Sequence, residues 1–127
     1  MSELRNRILV VDDEKDVCMV LKLLLEEYGF LVDSFTDPRM ALDSFKPNFY
    51  DLVILDIRMP ELNSFELYGQ LKSKDKNIKT LFFTALSSVE PFITQNYEVY
   101  PKIGSRHFLR KPVSNNDLLE EIYYIMN

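Results

Sequence analysis

Short apolar runs alternate with segments of helical period along the chain, and this alternation constrains the fold more than any other feature. The apolar runs are the predicted strands, at residues 8–11, 31–35, 52–55, 80–83 and 106–109. Strands that alternate with helices form a mainly parallel sheet with helices on both faces. The sequence therefore predicts a doubly wound α/β domain with a five-stranded parallel sheet.

Helix signals fill three of the four gaps between these runs, and also the segment after the last run. The first helix is predicted to end at Gly29, because glycine favours the left-handed backbone that closes a helix. The second is predicted to begin at Asp37 as N-cap, with Pro38 in the first turn. The last helix is predicted to follow Ser114. The gap at residues 87–101 is the exception, since its two prolines leave only a helix starting near Pro91 as a simple prediction.

Composition bounds the class of protein. The 127 residues suffice for one domain with a buried core, predicted as residues 1–127 with the core at about 8–125. A net charge of −5 without a basic stripe argues against direct nucleic-acid binding. No run approaches the roughly 18 apolar residues of a membrane span, and the first run is too short for a signal peptide. The single cysteine, Cys18, lies in an apolar helical run, where a free thiol behaves as a small hydrophobic residue. It favours a reducing compartment, so we expect a cytoplasmic protein that does not contact membranes.

Polar residues follow the apolar runs where the predicted strands end. Asp12 and Asp13 follow the first run and Asp56 follows the third, while Thr84 and Lys111 follow the fourth and fifth. Ligands of open α/β sheets bind at the carboxyl ends of the strands. If the first and third strands are neighbours, three carboxylates converge, and they must take up protons or share a cation. Mg²⁺, which takes oxygen ligands and keeps several waters, is the predicted ion.

Four motifs in this order and spacing give the chain a specific resemblance. They are VVDDE at 10–14, DIRMP at 56–60, FTA at 83–85 and FLRKP at 108–112. With them the sequence resembles the receiver domain of two-component response regulators, over about residues 8–125. The resemblance implies a flavodoxin-like receiver fold with the strand order 2-1-3-4-5.

The resemblance also implies roles for the acidic residues. Asp56 would be the phosphate acceptor, with its carboxylate attacking a phosphoryl group. Asp13 and Asp56 would ligate Mg²⁺ directly, and Asp12 would do so largely through water. The backbone carbonyl of Arg58 would add a further oxygen ligand.

The remaining site residues take their roles from the same resemblance. Lys111 would pair with the phosphoryl oxygens, and Thr84 would donate a hydrogen bond to one of them. Phe108 matches a switch position whose aromatic ring changes exposure as Thr84 moves. Arg58 and Leu86 would flank the phosphoryl group and help to set the lifetime of the phosphorylated state.

The implied function is that of a stand-alone receiver domain. It would accept a phosphoryl group from a histidine kinase or phosphotransfer protein and signal to an unidentified downstream protein through a partner-binding face. We expect a monomer or a phosphorylation-linked dimer. Such a domain is not an enzyme in the usual sense, because it catalyses only its own phosphotransfer and autodephosphorylation.

Three alternatives to this function each meet an argument against them, and the interaction module is the one kept as the alternative. The first is an interaction module that keeps the receiver fold without phosphate control; the self-repelling acids argue against it. The second is a Mg²⁺-dependent phosphohydrolase with an aspartate nucleophile. Enzymes of this class have a second aspartate, the general acid, two residues after the nucleophile, and Arg58 at that position argues against this alternative. The third is a flavin-binding module, which the two aspartates after the first strand disfavour, since they would repel a flavin phosphate.

Overall fold

Five parallel strands form one sheet with helices on both faces. The computed structural model describes residues 6–56, 64–84, 108–110 and 114–126. The strands are β1 (Arg7–Val11), β2 (Leu31–Phe35), β3 (Leu52–Leu55), β4 (Lys79–Thr84) and β5 (Phe108–Arg110). The helices of the described ranges are α1 (Lys15–Glu27), α2 (Pro38–Ser44), α3 (Ser64–Lys74) and α4 (Asn115–Met126). The strand order is β2-β1-β3-β4-β5, so the predicted fold and order are confirmed.

The helix ends lie where the sequence predicts them. Gly29 follows α1 with a φ of 93°, the left-handed conformation that favours glycine. The carboxylate of Asp37 accepts a hydrogen bond from the Arg39 N–H at 2.9 Å, and the Ser114 hydroxyl accepts one from the Asp117 N–H at 3.1 Å. Within the described ranges, no helix combines the length and hydropathy needed to span a membrane.

The last two strands differ slightly from the prediction. β4 extends one residue beyond the predicted run at each end, and the described part of β5, residues 108–110, extends one residue beyond the predicted end at 109. Residues 85–107 lie outside the described part of the chain. The expectation that the segment 87–101 contains at most a helix starting near Pro91 therefore stays a prediction.

β3 is buried on both faces of the sheet and joins two hydrophobic cores. Leu52 and Ile54 belong to the core under α1 and α4, whereas Val53 and Leu55 belong to the core under α2 and α3. Each of these four side chains is at most 1% exposed. A slip of one residue would exchange all four between the faces, so the packing fixes the register of β3.

At the amino-terminal edge of the sheet, Asp75 joins two turns that the sequence analysis did not identify. Its carboxylate accepts the N–H of Asn77 at 3.0 Å and the N–H of Asn48 at 2.9 Å. Asn48 has a φ of 61°, a left-handed conformation that asparagine tolerates better than most residues. The buried carboxylate thereby ties the turn before β3 to the turn before β4.

Tyr50 fills the space between β2 and the end of α2. Its hydroxyl donates a hydrogen bond to the Asp33 carboxylate at 2.6 Å, and its ring stacks on Phe45 with the centroids 5.8 Å apart. Burial in the first place, and then the hydrogen bond to Asp33, raise the pKa of Tyr50 above the usual tyrosine value.

This raised pKa predicts a stability effect at alkaline pH. The unfolded chain releases the Tyr50 proton near pH 10, whereas the folded protein holds it to higher pH, so the unfolded state binds fewer protons. The stabilisation is complete below about pH 10 and is lost as the pH rises through the folded-state value. Urea unfolding between pH 8 and pH 11 should show a shallower loss of stability for Tyr50→Phe than for the unsubstituted protein.

The matched control is Tyr28→Phe, because Tyr28 is half exposed. Its stability should fall with pH as steeply as that of the unsubstituted protein. If the free energy of unfolding fell equally steeply with pH in both phenylalanine variants, Tyr50 would not be the source of the alkaline loss of stability.

Candidate functional site

The carboxyl edge of the sheet places two aspartates side by side. Val11 and Leu55 are register partners in the pairing of β1 with β3. The Asp56 N–H donates to the Val11 carbonyl at 3.0 Å, which extends this ladder past the end of β3. The Asp12 N–H donates to the Phe35 carbonyl at 3.2 Å and extends the pairing of β1 with β2 in the same way. Backbone hydrogen bonds therefore fix Asp12, the first residue after β1, and Asp56, the first residue after β3.

Three carboxylates meet at this edge. One carboxylate oxygen from each of Asp12, Asp13 and Asp56 lies within 4.8 Å of the other two. Asp12 and Asp56 are only 2% and 6% exposed, whereas Asp13 is exposed. The convergence predicted from the sequence is confirmed for these three residues, and the water-exposed side of the cluster is the side of Asp13.

The turn from β1 into α1 is organised around Asp12. One of its carboxylate oxygens accepts the Glu14 N–H at 2.9 Å, an Asx-type contact that starts the turn. The Cys18 thiol donates to the Asp12 carbonyl at 3.3 Å and lies 3.6 Å from the Phe35 carbonyl. The sequence analysis interpreted Cys18 only as a small apolar residue. Its position in the apolar pattern of α1 indicates burial, but nothing in the sequence indicates this hydrogen bond.

The donor set fits a hard divalent cation. Oxygens bound directly to Mg²⁺ at about 2.1 Å lie about 3 Å apart in neighbouring positions and about 4.2 Å apart in opposite ones. A spread of up to 4.8 Å therefore suits carboxylates that share one ion partly through water. Two of the three carboxylates are buried, where the repulsion between like charges is screened less than in water. A shared cation removes this repulsion, and carboxylate oxygen is the ligand type that Mg²⁺ prefers.

The strands β4 and β5 bring two more predicted site residues toward this edge. Thr84 is the last residue of β4 and is the register partner of Arg110, which Lys111 follows in the sequence. Phe108, the predicted switch residue, is the register partner of Phe82 and lies two residues before the end of β5. Three predicted site residues lie outside the described part of the chain: Arg58, Leu86 and Lys111.

Fold and site together define an α/β domain with a cluster of three aspartates at the carboxyl ends of its parallel strands. A family model described as the response regulator receiver domain matches residues 8–123. The chain belongs to the response regulator receiver family of two-component signalling, as its motifs predict.

Similar proteins of known sequence are regulators that are longer than this chain. The transcriptional regulatory protein ZraR of Escherichia coli K12 is 33% identical over 111 residues, which make up 87% of this chain and 24% of ZraR. The uncharacterized transcriptional regulatory protein YkoG of Bacillus subtilis 168 is 30% identical over 118 residues, which make up 93% of this chain and 50% of YkoG. The chain thus spans half or less of the length of these relatives.

Solved structures share the fold over nearly the whole chain. The non-phosphorylated receiver domain of HemR from Leptospira biflexa is 28% identical with a TM-score of 0.81, and the match covers 97% of this chain and 95% of that one. The response regulator TrrA from Thermotoga maritima, solved in complex with Mg²⁺ and BeF, is 31% identical with a TM-score of 0.74. That match covers 94% of this chain and 98% of TrrA.

The acidic cluster predicts the effect of removing one carboxylate. Asp56→Ala should weaken Mg²⁺ binding at least tenfold, because even outer-shell partners of a metal typically contribute about 10-fold to 100-fold in affinity. Isothermal titration calorimetry with MgCl₂ measures this change directly.

The control for the lost negative charge is Asp43→Ala, which removes an exposed carboxylate of α2. This variant should bind Mg²⁺ like the unsubstituted protein. If Asp56→Ala also retained full affinity, the assignment of the cation site would be wrong.

Proposed function

We propose that this chain is a phosphoacceptor receiver domain in which Asp56 accepts a phosphoryl group from a phosphohistidine donor in the presence of Mg²⁺. One observation carries the proposal: Asp56, buried at the end of β3, lies within 4.8 Å of two further carboxylates. These carboxylates lie at the carboxyl ends of the strands, which is the edge where open α/β sheets bind their ligands. The TrrA complex with Mg²⁺ and BeF supports the choice of ion.

The proposed step is a direct phosphoryl transfer. A carboxylate oxygen of Asp56 attacks phosphorus, and a P–O bond forms while the P–N bond to the donor imidazole breaks. The electron pair of the broken bond stays with the imidazole nitrogen. Such a transfer has a loose transition state, so the site must mainly align the reactants and neutralise the phosphoryl oxygens. Bound Mg²⁺ supplies positive charge at those oxygens.

The chain's own residues provide the alignment. The hydrogen bond from the Asp56 N–H to the Val11 carbonyl fixes the main chain at the nucleophile. Asp12 and Asp13 are the proposed metal ligands beside it, with the carbonyl of Arg58 as a further ligand. The preorganised backbone limits the reorganisation that the transfer requires.

The residues at the ends of β4 and β5 bind the phosphoryl group and transmit its presence to the surface. Lys111 neutralises phosphoryl oxygens, and the hydroxyl of Thr84 donates a hydrogen bond to one of them. The movement of Thr84 gives Phe108 room to turn inward, which changes the surface that a partner meets. Arg58 and Leu86 flank the phosphoryl group and set how long it survives.

We further propose that residues 1–127 act as one receiver domain in the cytoplasm. The donor is a histidine kinase or a phosphotransfer protein, and the output is a contact with a downstream protein. Direct DNA binding is not proposed for this chain, whose net charge is −5. Apart from its own phosphorylation and dephosphorylation, the domain turns over no substrate.

Intact mass spectrometry after incubation with acetyl phosphate tests the acceptor. The unsubstituted protein should gain one phosphoryl group when Mg²⁺ is present and none when it is chelated. Asp56→Asn should gain none, because the amide is not a nucleophile for phosphorus. Asp43→Asn, a change of the same type at an exposed position, should be phosphorylated normally.

Rapid hydrolysis of the acyl phosphate is tested separately with beryllofluoride, which mimics the phosphoryl group and does not turn over. A protein that binds Mg²⁺ but neither gains mass nor binds beryllofluoride would refute the proposal. That result would favour the interaction module without phosphate control.

A further inference from the structure

We propose that Cys18 is a positioning residue for the acidic cluster, and that its thiol holds the peptide unit between Asp12 and Asp13. This inference deepens the proposed function and rests on the cation site described there. Cys18 itself does not contact the ion in this proposal. It acts through the main chain of the residues that do.

The thiol lies where two strands end. Its sulfur is 3.3 Å from the Asp12 carbonyl oxygen and 3.6 Å from the Phe35 carbonyl oxygen. The same two residues are joined by the hydrogen bond from the Asp12 N–H to the Phe35 carbonyl. Cys18 is only 4% exposed, so water has little access to compete for these carbonyl groups.

The geometry of the peptide unit transmits this contact to Asp13. The carbonyl of Asp12 and the N–H of Asp13 belong to one planar group. A donor that holds the carbonyl therefore fixes the direction in which the chain leaves Asp12. Asp13 is the exposed member of the cluster and lies directly after this peptide unit, so its carboxylate position depends on the thiol contact.

Two further hydrogen bonds hold other atoms of Asp12. The Asp12 N–H belongs to the preceding peptide unit, and the bond from the Glu14 N–H holds the Asp12 side chain. The hydrogen bond from the Cys18 N–H to the Glu14 carbonyl, 3.2 Å long, ties the thiol's own helix turn to the same segment. The cysteine thus links the first turn of α1 to the acidic turn before it.

A purely structural role makes a different prediction. Cys18 also belongs to the core that contains Leu21 and Leu25, so substitutions there change stability in any case. Loss of packing alone lowers the unfolding temperature without a specific effect on Mg²⁺. Loss of the thiol donor weakens Mg²⁺ binding, and a hydroxyl donor at the same position restores it.

The experiment compares three variants of the full chain with MgCl₂ as the probe. Cys18→Val and Cys18→Ala both remove the thiol donor. The valine side chain is larger than that of cysteine, and the alanine side chain is smaller. Each should raise the Kd for Mg²⁺ roughly twofold to fivefold, at the weak end of the range for hydrogen bonds because a thiol is a weak donor. Cys18→Ser keeps a donor and should bind Mg²⁺ within about twofold of the unsubstituted protein.

Leu21→Val is the matched control, since it trims the same core one helical turn further along α1. Calorimetry gives the Kd, and thermal unfolding measured on the same samples gives the stability. We expect Leu21→Val to lower the unfolding temperature and to retain full Mg²⁺ affinity. Unchanged affinity in both Cys18→Val and Cys18→Ala, or an equal loss in Leu21→Val, would overturn the positioning role.

Asp13→Asn separates this inference from the proposed function. If this variant loses Mg²⁺ affinity while the cysteine variants keep it, the cation site stands and only the role of Cys18 is wrong. If Asp13→Asn binds Mg²⁺ as tightly as the unsubstituted protein, the ligand set of the proposed function is wrong, and the inference falls with it.

Discussion

The pairing of β1 with β3 is the constraint on which the rest of the site depends. Its register sets Val11 opposite Leu55, and the next residue on each strand is an aspartate. Like charges at this spacing repel, and nothing in the local sequence draws them together. The packing of β3 against the hydrophobic cores on both faces of the sheet holds them in place.

Much of this arrangement follows from the sequence because its signals are local. A strand buried on both faces appears as a continuous apolar run, as residues 52–55 show. The N-cap contacts of Asp37 and Ser114 span two or three residues, so a short window of sequence contains both partners. The acids at the ends of β1 and β3 required one further assumption, that these strands are neighbours, and the sheet order confirms it.

Other features were beyond sequence reasoning because their partners are far apart in the chain. Asp75 and Asn48 are separated by 27 positions, and Tyr50 and Asp33 by 17. Only the assembled sheet brings such pairs into contact, and neither residue of a pair carries a signal for the other. Cys18 was misleading in another way, since its burial was anticipated and its hydrogen bond was not. Burial and hydrogen bonding are separate properties of a thiol, and an apolar pattern reports only the first.

The unequal burial of the three acids determines how an ion would enter the proposed site. Asp12 and Asp56 directly follow paired strands and are at most 6% exposed. Asp13 lies on the exposed turn, where loop motions take nanoseconds to microseconds. In the proposed site, a cation therefore reaches the buried pair from the side of Asp13. The turn between β1 and α1 forms the entrance, and the paired strands β1 and β3 fix the positions of the two buried ligands.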